Sequence, residues 1–126
     1  MMKIYTSAQM REREQAAVDA GSSFEQLMEN AGTAAASDIL QHFPVPGRCL
    51  VVCGKGNNGG DGLNQMPGMR IALDMPTGLN CDTGQADENT FMADMTYTFA
   101  AYKPAHLMAH AKAYCGKIVC LDIGID

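Results

Sequence analysis

An apolar run, Leu50-Val51-Val52-Cys53, breaks at Gly54 into a turn that carries glycine at 54, 56, 59, 60 and 62. Asn57, Asn58 and Asp61 stand between those glycines. A buried strand that runs straight into a glycine-rich loop is how open α/β sheets build ligand sites at the carboxyl ends of their strands. The apolar run supplies rigidity, and glycine lets backbone N–H groups approach a ligand closely. The stretch therefore predicts an α/β chain with a binding loop at that edge.

Gly54-x-Gly56-x-x-Gly59 has the form of a dinucleotide fingerprint, yet two features speak against a pyrophosphate seated on it in the usual way. Asp61 puts a carboxylate where it would repel phosphate. The acidic residue expected about 20 positions on, at the end of a second parallel strand, finds no strand to sit on within that distance. No Gly-Lys-Ser/Thr closes the turn, which excludes a P-loop. Asn57, Asn58 and Asp61 instead offer hard oxygen atoms, suited to ribose or amide hydrogen bonds or to a monovalent or divalent cation. A tight turn whose Asn and Asp tolerate left-handed backbone accounts for one Asn-Gly, not for NNGGDG in full.

At 126 residues, 47% of them hydrophobic and 18% charged, the chain is expected to form one globular domain with its own core. Its parts are N-terminal helices over 1–47, the strand and glycine loop over 48–63, and the remaining strands over 70–126. A formal net charge of −5 disfavours nucleic acid or an anionic membrane surface as the main partner. No apolar run approaches the ~20 residues of a membrane helix, and the N-terminus lacks a signal-peptide core, so a cytoplasmic protein is expected. The five cysteines form no C-x-x-C pair, and those beside strand-like runs read as small core hydrophobes.

Thr6 and Gln9 have capping-box spacing before a helix expected over Ser7–Ala20, whose face is strongly polar apart from Met10, Ala17 and Val18. Ser23 and Gln26 repeat the signature before a second helix over Phe24–Gln41, with apolar residues near a 3.6-residue period. Strands are expected at Arg48–Cys53, Arg70–Met75, Met95–Ala101 and Lys117–Ile123. Residues 80–94 read as a long loop and 104–114 as a short helix. After Gly62 the helix of a doubly wound fold is not readable, because Pro67 and Gly68 follow within two turns.

Two further stretches carry chemistry. In ALDMPTGLNCDTG, Asp74 stands near the carboxyl end of its strand, where it can serve as a general acid/base or accept a substrate hydroxyl. The alternative is a turn residue capping the amides of Thr77 or Gly78. Asp82-Thr83-Gly84 reads as turn chemistry. In TFAAYKP, Lys103 follows an apolar strand, placing an ammonium at a strand terminus to face an anionic or carbonyl group, or simply water. His106 and His110 stand one helical turn apart without a third ligand, which argues against a metal site there.

LMENAG (27–32), GKGNNGGDG (54–62), ALDMPTGLNCDTG, TFAAYKP and the closing DIGI together closely resemble the YjeF N-terminal domain family, the NAD(P)H-hydrate epimerases. The resemblance implies a Rossmann-like three-layer α/β/α sandwich, often dimeric. It implies interconversion of the R and S forms of hydrated NADH and NADPH, with a separate or fused dehydratase consuming the S form. By position, Asn57, Asn58, Gly59, Gly60, Asp61 and Asp74 would contact the hydrated dinucleotide. Asn58 would also ligate one potassium ion per subunit, with Thr77 where the family usually has a serine ligand. No dehydratase sequence follows Asp126, so the second step would fall to another protein. Asp74 is the first candidate for the catalytic acid/base, with Lys103 second as proton donor or electrostatic partner.

The resemblance breaks between Leu63 and Met66, where the family carries a helix, further strands and a second substrate loop with another potassium ligand. Two βαβ-type units of ~30 residues each would fill that gap, so the chain reads as a shortened domain joined near Asn64. Loss of that segment predicts weakened potassium and cofactor binding. The competing function is a non-catalytic dinucleotide- or partner-binding module on a reduced scaffold.

Overall fold

The computed structural model describes residues 2–43, 47, 49–52 and 68–125. The glycine turn, and with it Asn57, Asn58, Gly59, Gly60 and Asp61, lies outside the described residues. Helix α1 (Ser7–Asp19) starts at the expected capping box: the Gln9 N–H donates to Thr6 Oγ1 at 3.2 Å, and the Thr6 N–H donates to Gln9 Oε1 at 2.9 Å. Helix α2 (Phe24–His42) forms half of its expected box. Ser23 Oγ accepts from the Gln26 N–H at 3.1 Å, but the Gln26 side chain turns along the helix to Asn30 Oδ1.

Strands β1 (Cys49–Val52), β2 (Met69–Leu73), β3 (Met95–Phe99) and β4 (Lys117–Leu121) form one sheet in chain order, every pairing parallel. This corrects one expectation drawn from the fingerprint. A second parallel strand does lie beside β1, with Val52 in register with Ala72, and Asp74 stands just past its end. Both β2 and β3 end earlier than their apolar runs because the next residue turns to left-handed backbone, Asp74 at φ 71° and Ala100 at φ 69°.

Parallel strands in simple chain order, joined by right-handed crossovers, put their connections on one face of the sheet. The described connections obey this. Phe91 and Ala93 pack on Ala72, Ile118 packs in a cluster with Ala105, Ala111 and Cys115, and the Thr96 hydroxyl donates to the Cys115 carbonyl at 2.7 Å. The opposite face belongs to α2, whose Ala35 and Ile39 cover Ile71, Leu73, Met95, Tyr97 and Val119. The Tyr97 hydroxyl donates to Asp38 of α2 at 2.6 Å, fixing helix to sheet. The molecule is thus α/β and Rossmann-like, with a helical layer, a parallel sheet and a thinner third layer.

That third layer differs from the helix expected over 104–114. It holds a 3-10 turn, Pro104–Leu107, and a one-turn helix α3, Lys112–Cys115. Met108 leaves helical space at φ −87°, ψ 129°, because the turn before it is held by His106, whose ring bonds outside the helix. Polar α1 packs on its own chain through the thin stripe, Met10 with Leu27, Ala101, Ile123 and Ile125. No described helix is long and apolar enough to cross a membrane. Gly116 closes α3 at φ 64°, where a Cβ would sit 2.3 Å from the Asp94 carbonyl oxygen, so glycine is required there.

Candidate active site

In a parallel sheet the carboxyl ends of all strands share one edge, and the chemistry-bearing side chains collect there. Asp74 leaves β2 at that edge with its side chain 49% exposed, facing a cleft of about 680 Å3. Ser7, Asp74, Pro76, Asn80, Cys81 and Asp82 are among the residues lining it.

The carboxylate of Asp74 is held from behind. Lys103 Nζ lies 2.9 Å from Asp74 Oδ1, and the Lys103 side chain is 5% exposed. The same ammonium donates to Thr98 Oγ1 at 2.8 Å and to the carbonyls of Phe99 and Ala101 at 3.1 and 3.0 Å. Its three N–H groups therefore face four oxygen acceptors. The Thr98 hydroxyl passes the contact on, donating to Asp74 Oδ1 at 3.0 Å. A buried ammonium in a ring of oxygens is a compensated charge. The arrangement orients Asp74 and leaves its outer side open to the cleft.

His106 completes the support, and the sequence alone did not reveal it. It is 1% exposed, and its Nε2 lies 2.8 Å from the Asp74 carbonyl oxygen while its Nδ1 accepts from the Lys103 backbone N–H at 2.9 Å. Burial pushes its pKa down, more than the Asp74 carbonyl and carboxylate restore it. The available signal was positional: Lys103 and His106 sit three apart across Pro104, a turn spacing that points both inward. Thr98 was legible only as one of two threonines in the strand MTYTF.

Asp82 does more than shape a turn. Its carboxylate accepts from the Ser7 N–H at 2.9 Å and the Ser7 hydroxyl at 3.1 Å, pinning the amino end of α1 to the rim of the cleft. The Ser7 N–H bond holds its carboxyl below the usual range. Ser7 Oγ also lies 2.8 Å from Cys81 Sγ, whose thiol burial pushes up. Thr77 is buried on the turn after β2, its carbonyl accepting from the Phe91 N–H at 2.8 Å. Among the described residues, no group of three His, Cys, Asp or Glu side chains stands close enough to hold a metal ion.

A parallel α/β domain with a clamped carboxylate in a cleft at the carboxyl edge of its sheet belongs to the small-molecule-binding class of open-sheet proteins. Residues 24–64 and 63–105 match the family described as YjeF-related protein N-terminus, and the chain belongs to that family. The two matched stretches meet at Leu63 and Asn64. An NAD(P)H-hydrate epimerase of Rhodopirellula baltica is 27% identical, with 79% of this chain and 75% of that protein covered. An NAD(P)H-hydrate epimerase of Elusimicrobium minutum is 27% identical over 215 residues, covering 98% of this chain and 96% of that protein. An alignment of that length around a 126-residue chain means that the relative carries a long segment with no counterpart here. The bifunctional NAD(P)H-hydrate repair enzyme Nnr of Coxiella burnetii is 25% identical, and the chain spans 42% of its length.

Proposed function

We propose that this chain interconverts the R and S forms of hydrated NADH and NADPH, with Asp74 as the acid/base group. The observation that carries the proposal is the Asp74 carboxylate, clamped by Lys103 and Thr98 and facing the cleft at the carboxyl edge of the sheet. Epimerisation at the hydrated ring carbon requires reversible C–O cleavage or ring opening. A carboxylic acid gives a proton to the departing hydroxyl and, as carboxylate, takes it back when water returns on the other face. Lys103 serves as electrostatic partner, since its N–H groups are engaged behind the carboxylate. The dinucleotide body supplies positioning, through contacts we assign to Asn57, Asn58, Gly59, Gly60 and Asp61.

Potassium suits the donors that the chain offers, which are neutral oxygens: the Asn58 amide and the hydroxyl or carbonyl of Thr77. Bound there, the ion would fix the loop and the ligand by charge. With the segment absent between Leu63 and Met66, we expect its affinity to be reduced. The exposed Phe24 and Met28, one turn apart on α2, offer apolar surface for a homodimer. A separate dehydratase would consume the S form, and a cytoplasmic site of action accords with the cofactors concerned.

The test is to supply the purified chain with one resolved epimer of hydrated NADPH and follow the approach to the epimer mixture in KCl and in NaCl. The Elusimicrobium minutum epimerase, assayed in parallel, sets the reference. We expect measurable epimerisation above the uncatalysed rate, slower than the reference and weakly dependent on potassium. A reference-like, strongly potassium-dependent rate would contradict the weakened cation site. Thermal stabilisation by the dinucleotide without turnover would instead favour a binding module, the reading that the missing segment supports.

A further inference from the structure

We propose that His106 is a positioning residue for Asp74, acting as a neutral imidazole locked in one tautomer between two backbone groups. The proposal deepens the reading of Asp74 as the acid/base group and rests on it. Its geometry allows a single hydrogen assignment. A backbone N–H can only donate, so Nδ1, 2.9 Å from the Lys103 nitrogen, carries no proton. A backbone carbonyl can only accept, so Nε2, 2.8 Å from the Asp74 oxygen, carries one. An imidazolium would set N–H against N–H at Lys103, and the other tautomer would do the same there and leave no proton between Nε2 and the Asp74 carbonyl oxygen.

Two side chains of one turn thus grip the same residue from two sides. Lys103 holds the carboxylate of Asp74 and His106 holds its carbonyl. The grip matters because Asp74 adopts left-handed backbone at φ 71°, a conformation that aspartate tolerates but that most L residues avoid, so ties on the residue help to hold it there. The aspartate carboxylate is only two rotatable bonds from that backbone, so a shift of the Asp74 Cα carries it away from Thr98 and the cleft. Tyr102 packs edge to face with the imidazole at 6.3 Å between ring centres, and His106 is 1% exposed. Sealed in this way, the ring meets no substrate, and its effect reaches the chemistry through Asp74 alone.

The variants H106Q and H106N separate this role from a merely local one. Glutamine places an amide N–H near the position of Nε2 and keeps the tie to Asp74. Asparagine places an amide oxygen near Nδ1 and keeps the bond from Lys103 alone. With carboxyl-labelled aspartate, NMR of H106Q is expected to leave the Asp74 carboxylate resonance at its wild-type position, and H106N to shift it. The kcat of H106N is expected to fall about tenfold with KM within about twofold, and H106Q to recover most of the wild-type kcat. An H106N chain equal to wild type in resonance and kcat overturns the proposal, as does an H106Q chain as impaired as H106N. The imidazole 15N spectrum of the unaltered protein tests it without a variant: protonated Nε2 and bare Nδ1 at neutral pH are expected, and an imidazolium or the other tautomer overturns it. Wild-type protein without epimerase activity defeats the reading of Asp74 as acid/base, whereas the resonance comparison still decides whether His106 positions it.

Discussion

Lys103 carries its charge almost out of reach of water, against two backbone carbonyls, one hydroxyl and one carboxylate. Removing the ammonium takes a charge-assisted donor from each of these oxygens, whereas neutralising Asp74 leaves an amide oxygen that still accepts. K103M should therefore cost about 2 kcal/mol of unfolding free energy. D74N, at a side chain half open to solvent, should cost less than about 1 kcal/mol. Urea unfolding of both variants checks the pair, and equal losses would mean that the ammonium is not the structural partner described. At this scale Asp74 and Lys103 were legible, because a charged residue closing an apolar strand has few reasons to be there. Thr98 and His106 were not. A threonine in a strand and a histidine after proline acquire meaning only when the parallel register brings β2 and β3 side by side.

Among the elements, α1 shows how a distant residue can set a helix in place. Asp82 accepts from the first N–H of α1 across 75 positions of sequence, where the helix dipole also favours a negative charge. D82A should cost ~0.5–1 kcal/mol, with the lower end more apt because the carboxylate is exposed. Folding lowers the pKa of Asp82, so its contribution is complete above the ordinary carboxylate range and fades as acid protonates it. Stability measured from pH 6 downward should accordingly fall less steeply in D82A than in wild type. An unchanged slope would show that the bond contributes nothing. The boundaries of α1 and α2 were readable from capping residues that act within one turn. The segment 104–115 was not, because the His106 ring is tied both to the Lys103 N–H and to the Asp74 carbonyl just past β2, a tertiary demand that overrides local helix preference.

For the whole molecule, the order of the strands decides where function can sit. A parallel sheet in chain order sends its described crossovers to one face, leaves the other to α2, and gathers Asp74, Lys103 and the rim of the cleft at one edge. In sequence the two family-matched stretches meet between β1 and β2, and β1 pairs directly with β2, so the described strands still form a continuous sheet. The α/β class was legible from apolar runs ending in glycine, proline or a charge. The pairing order was not, since it depends on which strands a missing segment leaves adjacent. We propose that a clamped carboxylate at this edge drives epimerisation. The most direct measurement is the rate at which D74N, folded as wild type by urea unfolding, converts one resolved epimer of hydrated NADPH. A rate at least ~100-fold below wild type is expected, the scale of a lost acid/base group; a D74N rate within a few-fold of wild type would mean that Asp74 is not that group.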